Sequence, residues 1–435
     1  MFYSELTIPQ ISSRCIVPHF LYPKSAVTVV SLPIVIYALH FICNADHCLN
    51  FTGSASQSLQ RTWASMRSYS YWPSHEGLSI FLGWMLLQLL MQLLLPGETV
   101  QGCPVQDTRP AARPQGQASL RTFTLPYTLS GHLQFWLSLA LVLCSVPSFV
   151  RTSAAGASPT WGLSALSPLP LHLLYDHYLS LAGTACIFSA LLSIYLYASS
   201  FSAGADGKGQ VLAKGGNTGS AVYDFFIGRE LNPRIGPLDL KCFCELRPGL
   251  IGWLVINLGM AAKQFQRAAA ASPSHTGSVS LSMLLLVASQ GFYVWDALYN
   301  ERAILSTMDI TTDGFGYMLA FGDLAWVPFI YSLQARYLVD RDPALSSAAL
   351  VAILALQLCG YAIFRLANGQ KDAFRRDPEG DDVKHLRYLQ TKRGTRLIVS
   401  GWWGAARTYK CYALYIYSVF ASRSATLLAY ANPNV

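Results

Sequence analysis

Long apolar runs alternate with short polar segments along most of the chain. Eight runs carry few charged residues and approach or exceed the length needed to cross a bilayer core, about 20 apolar residues. They are Ser25 to Cys43, Gly77 to Pro96, Leu133 to Val150, Tyr178 to Phe201, Leu250 to Ala262, Val279 to Val294, Gly316 to Leu333 and Ala344 to Phe364. Because a backbone in hydrocarbon must satisfy its own hydrogen bonds, the pattern predicts an all-α fold, a polytopic bundle of about eight to nine transmembrane helices.

Composition agrees with a membrane protein. Hydrophobic residues make up 52% of the 435 residues and charged residues 12%, outside the usual range of a soluble globular chain. No basic segment with a small-residue cleavage site accompanies the first apolar run, so we expect this run to stay as a membrane helix.

Cysteine usage predicts neither a disulfide framework nor a metal centre. The ten cysteines are scattered, and several lie inside apolar runs. Cys242 and Cys244 form a Cys-x-Cys pair, but no second pair of cysteines or histidines follows at a spacing typical of zinc. We therefore interpret both as packing residues and expect no metal.

A dense group of charged and aromatic residues precedes the apolar run at Leu250. Its charged members are Asp224, Arg229, Glu230, Arg234, Asp239, Lys241, Glu245 and Arg247. Balanced charges beside Tyr223, Phe225 and Phe226 suggest a partly buried surface whose charges pair with one another. On composition alone an ordinary interfacial loop is the favoured alternative.

A family resemblance decides between these interpretations. The segment from Gly219 to Arg234 resembles a signature of the sterol reductase family, with matches at Gly219, Val222, Tyr223, Asp224, Phe226, Gly228, Leu231, Asn232, Pro233 and Arg234. The continuation from Cys244 to Leu258 is most similar to the branch that contains the C-14 sterol reductases and the lamin B receptor. The resemblance implies a multi-pass enzyme of the endoplasmic reticulum membrane. It would use NADPH to reduce the C14=C15 double bond of a sterol diene in ergosterol- or cholesterol-type biosynthesis. The implied partners are a sterol substrate and the lipid bilayer, while protein partners stay unknown.

The net charge of +8 is concentrated near the C-terminal end. Nine basic residues lie between Arg365 and Arg396, which places this segment in the cytosol by the positive-inside rule. Such a segment can also dock a phosphate-rich cofactor through charge-assisted hydrogen bonds. Nucleic acid is not expected as a partner, because the sequence shows no recognition fold there.

The resemblance assigns cofactor contacts within this segment. The run from Asn368 to Arg375 is similar to the family element Asn-x-Gln-Lys-x-x-Phe-Arg, which implies that Lys371 and Arg375 contact NADPH. If the run is helical, the two cations lie on one face. The run from Leu397 to Gly404 implies that Ile398 and Trp403 line the nicotinamide-nucleotide pocket. No Gly-x-Gly-x-x-Gly follows a predicted strand, so a Rossmann cradle is not supported.

Chemistry narrows the search for catalytic residues. A sterol diene has no carbonyl to polarise, so an acid must protonate one alkene carbon before hydride adds to the resulting cation. Ionisable groups at membrane depth cost about 2.5 to 3.5 kcal/mol each and are functional hypotheses by default. The candidates are Asp296, Tyr299, Glu301 and Asp313. The alternative is that these carboxylates pair with Arg302 or cap helix ends. The surrounding segments also resemble family elements that border its sterol pocket.

The expected domain organisation has three parts. Residues 1–24 form an atypical N-terminus, residues 25–407 form the sterol reductase membrane domain with residues 365–407 on the cofactor side, and residues 408–435 form a divergent tail. The family pattern continues after Arg407 with an Asn-Tyr pair where this chain has Lys410 and Cys411. We hypothesise a splice read-through or a frameshift there, which predicts weak or absent reductase activity.

Four alternatives stay open. A sibling reductase acting on C-7 or C-24(28) shares the fold and cofactor. The chain is otherwise a truncated, inactive reductase-like membrane protein. A structural role like that of the lamin B receptor is disfavoured by the short N-terminus, and an isoprenylcysteine-type methyltransferase by the absence of its matching region.

Overall fold

The structure is a computed structural model. It describes residues 21–42, 60, 63–64, 66–67, 72–106, 122–143, 149–152, 160–163, 170–202, 211–213, 215–271, 277–340, 345–390 and 396–406. Within these ranges the chain is mostly helical, and the strands form five two-stranded antiparallel sheets. The predicted tail at 408–435 and residues 1–20 lie outside the described residues.

The helices fall into three groups along the chain. The first group is α1 (Leu21–Ile42), α2 (His75–Leu94), α3 (Gly131–Leu143), α4 (Leu173–Asp176), α5 (Tyr178–Ser202) and α6 (Ala221–Ile227). The second is α7 (Leu240–Cys244), π1 (Glu245–Gly249), α8 (Leu250–Ala271), α9 (Leu281–Tyr299), α10 (Glu301–Ile304) and α11 (Met308–Thr311). The third is α12 (Tyr317–Phe321), π2 (Gly322–Trp326), α13 (Val327–Tyr331), α14 (Leu333–Asp340), α15 (Ser347–Arg376) and α16 (Gly401–Ala406).

The two-stranded sheets are short and lie between the helices. Strand β1 (Glu98–Gln101) pairs with β4 (Pro126–Leu129), and β2 (Val105–Gln106) pairs with β3 (Thr122–Phe123). The others are β5 (Phe149–Thr152) with β6 (Thr160–Leu163), β7 (Arg234–Ile235) with β8 (Leu238–Asp239), and β9 (Tyr388–Gln390) with β10 (Arg396–Ile398).

Five helices are long and apolar enough to cross a membrane, among the described residues. They are Ser25–Ile42, His75–Leu94, Tyr178–Phe201, Leu281–Tyr299 and Ser347–Arg376, each overlapping a predicted run. The predicted run from Leu133 to Val150 is a shorter helix, α3, and its last two positions belong to β5. The run at Leu250 continues as a helix to Ala271, through a polar second half that contains Lys263.

Two continuous helical segments contain a π-helical turn each. One runs through α7, π1 and α8, and the other through α12, π2 and α13. The two turns pack together so closely that a Cβ on Gly249 of π1 would lie 2.2 Å from the carbonyl oxygen of Asp323 in π2. Single π turns of this kind are frequent at functional sites.

The core lies among α1, α2, α5, α8, α9 and the segment from α12 to α14. A central cluster includes Tyr178, Met260, Met283 and Phe321, all of them almost fully buried. Helix α15 lies at the edge of this core, with Gln357, Gly360, Ala367 and Phe374 as its buried residues. Its attachment therefore depends on a narrow contact.

Candidate functional site

The cofactor residues implied by the sequence lie on α15 and on the segment that folds back against it. Helix α15 runs on to Arg376, so Lys371 and Arg375 lie one turn apart, as the spacing predicted. The Lys371 Nζ sits 4.3 Å from the centre of a Trp403 ring, a cation–π geometry. Gln370 accepts a hydrogen bond from the Trp403 backbone N–H at 3.1 Å, which packs α16 onto α15.

Ile398 joins the same substructure through a small apolar cluster. It is buried with Phe374, Val383 and Leu386, and Trp403 packs against this cluster. The structure therefore brings Lys371, Ile398 and Trp403 together. Arg375 is exposed and forms no ion pair with any described residue. A free cation beside a lysine fits a phosphate-bearing cofactor, because a phosphate can accept charge-assisted hydrogen bonds from both.

Asp296 is buried on α9 and is held by side chains of α15. Its Oδ1 accepts a hydrogen bond from the Tyr361 hydroxyl at 2.9 Å and one from Asn300 Nδ2 at 3.2 Å. Arg365 Nε lies 3.6 Å from the same oxygen, and Arg365 Nη2 donates to Asn300 Oδ1 at 2.6 Å. Oδ2 receives no hydrogen bond from the described residues.

This network is part of a polar seam between α9 and α15. Ser289 precedes Asp296 on α9, and Gln357 precedes Tyr361 on α15. Here Ser289 Oγ donates to Gln357 Oε1 at 2.5 Å. The contacts advance in the same direction along both helices, which shows that α9 and α15 run parallel at the seam. Polar contacts between membrane helices contribute about 0.6 to 2 kcal/mol each. The seam therefore fixes α15 against α9, the helix that carries Asp296.

Tyr299 and Glu301 follow Asp296 but face different surroundings. Tyr299 is 62% exposed and stacks on Trp295 with ring centres 5.2 Å apart. Glu301 is buried, with Oε1 ion-paired to Arg247 and Oε2 accepting from the Gly131 backbone N–H at 2.8 Å. Both Glu301 oxygens are thus engaged, whereas Asp296 keeps one free.

Asp313 lies apart from this seam, in the loop after α11. The Lys241 ammonium is fully buried and donates to the backbone carbonyls of Asp309 and Asp313, the latter at 2.7 Å. Burial lowers the pKa of Lys241 to about 8, and nearby carboxylates, Asp239 first among them, oppose this shift. Asp313 therefore lies beside the buried Lys241 through its backbone carbonyl. No contact in the described residues joins it to Asp296.

The charged segment before Leu250 is buried as predicted, but its charges do not mainly pair with one another. Within it, Arg234 pairs with Asp239 at 3.1 Å. Arg247 instead pairs with Glu301, from beyond the segment, and Asp224 accepts from the Thr218 backbone N–H at 2.9 Å. The expectation of mutual pairing was wrong in this respect, because neighbouring helices and backbone groups supply closer partners. Cys242 and Cys244 are buried in two apolar clusters.

A family model described as the ergosterol biosynthesis ERG4/ERG24 family matches residues 23–429. The chain belongs to this family. The match includes positions after Arg407, while the expected divergence of residues 408–435 stays a prediction.

Curated members of the ERG4/ERG24 family resemble the chain over most of its length. The delta(14)-sterol reductase LBR of Gallus gallus is 41% identical over 377 residues, 86% of this chain and 51% of that protein. The chain thus spans about half the length of that relative. The delta(14)-sterol reductase erg24 of Schizosaccharomyces pombe is 39% identical over 89% of this chain and 80% of its own length. The delta(14)-sterol reductase of Neurospora crassa is 38% identical over 86% of this chain and 72% of its own length.

For this family member, sequence reasoning missed the two α15 residues that hold Asp296. Tyr361 and Arg365 lie four residues apart, and Arg365 lies six residues before Lys371. A tyrosine and an arginine on one helical face within an apolar run carry the signal that could have found them. The positive-inside interpretation counted Arg365 as a topology signal, and Tyr361 was taken as part of an apolar run.

Proposed function

We propose that the chain is an NADPH-dependent delta(14)-sterol reductase of the endoplasmic reticulum membrane. The observation that carries the proposal is the seam that holds Asp296 of α9 against α15, the helix of Lys371 and Arg375. Family membership and three relatives named delta(14)-sterol reductase support the same reaction. We assign the reaction to the membrane domain of residues 25–407, with residues 365–407 on the cofactor side.

The proposed cofactor residues contact different parts of NADPH. Lys371 and Arg375 bind its phosphates, since their cations lie one turn apart and Arg375 has no ion-pair partner among the described residues. Ile398 and Trp403 provide an apolar and aromatic wall for the nucleotide. When bound, NADPH supplies the hydride that completes the reduction.

Asp296 is the best placed of the four catalytic candidates to deliver the proton. Its carboxyl is buried, Tyr361, Asn300 and Arg365 orient Oδ1, and Oδ2 stays free. A general acid needs a fixed position within reach of the carbon that it protonates. Tyr299, stacked on Trp295, offers an aromatic face to a carbocation beside this acid. Glu301 stabilises the local fold through Arg247, and Asp313 contributes to the polar interior around Lys241.

A product assay tests the proposal directly. The chain is expressed in microsomes that lack endogenous C-14 reductase, with NADPH and an 8,14-diene sterol, and the products are analysed by mass. Loss of the 14-ene supports the proposal. Loss of a different double bond indicates a sibling C-7 or C-24(28) reductase, and an unchanged sterol indicates an inactive reductase-like protein. Asp296→Asn in the same assay should abolish turnover, whereas Asp381→Asn, an exposed carboxylate after α15, should leave it intact.

A further inference from the structure

A small polar pocket of about 20 Å³ lies between α2, strand β4, strand β8 and the segment from α7 to π1. Its lining includes the side chains of Gln92, Asp239 and Arg247, together with Tyr127 and Cys242. A buried water molecule needs a cavity of roughly 10 to 15 Å³ and two to four polar partners. The pocket therefore has the size for a single water-sized molecule.

Arg247 contributes an unused hydrogen-bond donor to this pocket. The residue is 1% exposed, its Nη2 forms an ion pair with Glu301, and its Nε donates to Gln92 Oε1 at 2.9 Å. Its Nη1 is buried and has no hydrogen-bond partner among the described residues. Buried donors in folded proteins are nearly always paired with protein atoms or with ordered water, so this nitrogen requires an acceptor.

Asp239 contributes an unused acceptor of the opposite charge. Its Oδ1 accepts a hydrogen bond from the Cys242 backbone N–H at 2.9 Å. Its Oδ2 lies 3.1 Å from Arg234 Nη2 as an ion pair, but this buried oxygen receives no aligned hydrogen bond from the described residues. Arg247 and Asp239 form no ion pair with each other. A donor and an acceptor of opposite charge therefore belong to one pocket without pairing directly.

These charges determine which occupant the pocket accepts. The buried guanidinium of Arg247 repels a cation, and the buried carboxylate of Asp239 repels an anion. An apolar group would leave both hydrogen-bonding atoms unpaired, which burial penalises. A water molecule is neutral, and it accepts a hydrogen bond on one side and donates one on the other. We propose that the pocket binds one water molecule, which accepts from Arg247 Nη1 and donates to Asp239 Oδ2.

The water joins two ion pairs into one buried network. The pair of Arg247 and Glu301 connects π1 to the start of α10, and the pair of Arg234 and Asp239 connects β7 to β8. A bridging water is enthalpically nearly as good as a direct hydrogen bond, so the network fastens this pair of strands to the helices. Occupancy of the pocket can be measured without reductase turnover, and it therefore stands or falls separately from the proposed function.

X-ray radiolysis of the purified full chain tests the water site. The X-ray pulse converts water to hydroxyl radicals, which oxidise side chains beside a bound water even where bulk solvent does not reach. Cys242 lines the pocket, whereas Cys244 lies outside the lining, and both are buried. Mass spectrometry should show Cys242 oxidised about fivefold faster than Cys244, since thiol oxidation follows access to the oxidant. Equal rates would overturn the proposal.

A radical scavenger in the buffer separates a bound water from bulk water. It should suppress oxidation of the exposed Cys103 and leave Cys242 within about twofold, because the radical forms beside Cys242. Equal suppression at both sites would overturn the proposal.

A pair of phenylalanine variants on β7 and β8 tests the same site by filling it. Leu238→Phe enlarges a lining side chain and should lower Cys242 oxidation to the Cys244 rate. Ile235→Phe adds the same ring to the exposed partner of Leu238 in the β7–β8 pair, outside the lining, and should leave Cys242 oxidation unchanged. Equal Cys242 oxidation in the two variants would contradict the site. The cysteine comparison in the unaltered chain decides the matter if Leu238→Phe lowers the protein level.

Discussion

The Tyr361 hydroxyl donates a hydrogen bond to Oδ1 of Asp296 at 2.9 Å, across the contact between α15 and α9. Few residues of α15 are buried, so this bond and the neighbouring contacts of Arg365 are a large part of what holds the helix. Any change in the seam moves Lys371 and Arg375 relative to Asp296. The seam is therefore where the proposed acid and the proposed cofactor site are coupled.

Tyr361→Phe should reduce kcat/KM for NADPH-dependent sterol reduction about tenfold or more. Removing one partner of a buried hydrogen bond costs about 1 to 3 kcal/mol, and phenylalanine removes the donor while keeping the ring. The loss should appear in both kcat and the KM for NADPH, because acid and cofactor helix shift together. Tyr195→Phe is the matched control, since Tyr195 is 51% exposed on α5 and its hydroxyl makes no hydrogen bond with the described residues. Wild-type kinetics in Tyr361→Phe would contradict a role for the seam.

Lys371→Met should reduce kcat/KM with NADPH about tenfold and change it little with NADH. The Lys371 ammonium is proposed to bind the 2'-phosphate, which NADH lacks. One charge-assisted hydrogen bond accounts for about 1.5 to 3 kcal/mol. Steady-state kinetics with both nucleotides measure the difference. Lys384→Met removes a cation that pairs with Asp381 on the exposed surface, and both rates should stay unchanged. Equal losses with NADPH and NADH would place Lys371 away from the 2'-phosphate.

The helices were predictable because a long apolar run in hydrocarbon satisfies its backbone hydrogen bonds by forming an α-helix. Helix α15 ran twelve residues past the predicted end at Phe364, to Arg376. Its last turns contain alanine, glutamine, lysine and arginine, which are strong helix formers even outside a membrane. The family resemblance assigns the proposed cofactor residues Lys371 and Arg375 to this extension, whereas the hydrophobic pattern alone ends before them.

The partners of buried charges were not predictable from local sequence. Arg247 and Glu301 are 54 residues apart, and the sequence around each of them does not indicate the other as its partner. Asp296 and Tyr361 are 65 residues apart. Such contacts depend on how α8, α9 and α15 pack, which periodicity does not encode. The polar pocket beside Arg247 has the same origin, because its lining residues come from separate elements.

Gly228→Ala should prevent accumulation of folded protein. Gly228 has φ +96°, and a Cβ would lie 2.3 Å from the Gly316 nitrogen and 2.4 Å from the Phe315 carbonyl carbon. These are backbone atoms, so no side-chain rotation relieves the overlap. Gly219→Ala is the control: its φ is +88°, but a Cβ there meets nothing within 4 Å. It carries the backbone strain alone, about 1 to 3 kcal/mol. Fluorescence-detected size-exclusion chromatography compares the two, and equal monodisperse yields would refute the steric argument.

Arg247→Met should destabilise the protein by about 3 to 5 kcal/mol, because it leaves the buried Glu301 carboxylate without its cation. Arg247 is 1% exposed, and its Nε also donates to Gln92 Oε1 at 2.9 Å. Arg376→Met is the control, since it breaks an exposed pair with Asp372 on α15. Its effect should stay within about 0.5 kcal/mol.

The double variant Arg247→Met with Glu301→Gln separates charge from packing. Glutamine is neutral and can still accept from the Gly131 N–H, so the double variant should regain much of the stability lost by Arg247→Met. Thermal unfolding in one detergent ranks the proteins. Recovery together with retained sterol reduction would assign Glu301 a structural role and leave Asp296 as the acid. Recovery of stability with complete loss of turnover would indicate that Glu301 is a catalytic residue.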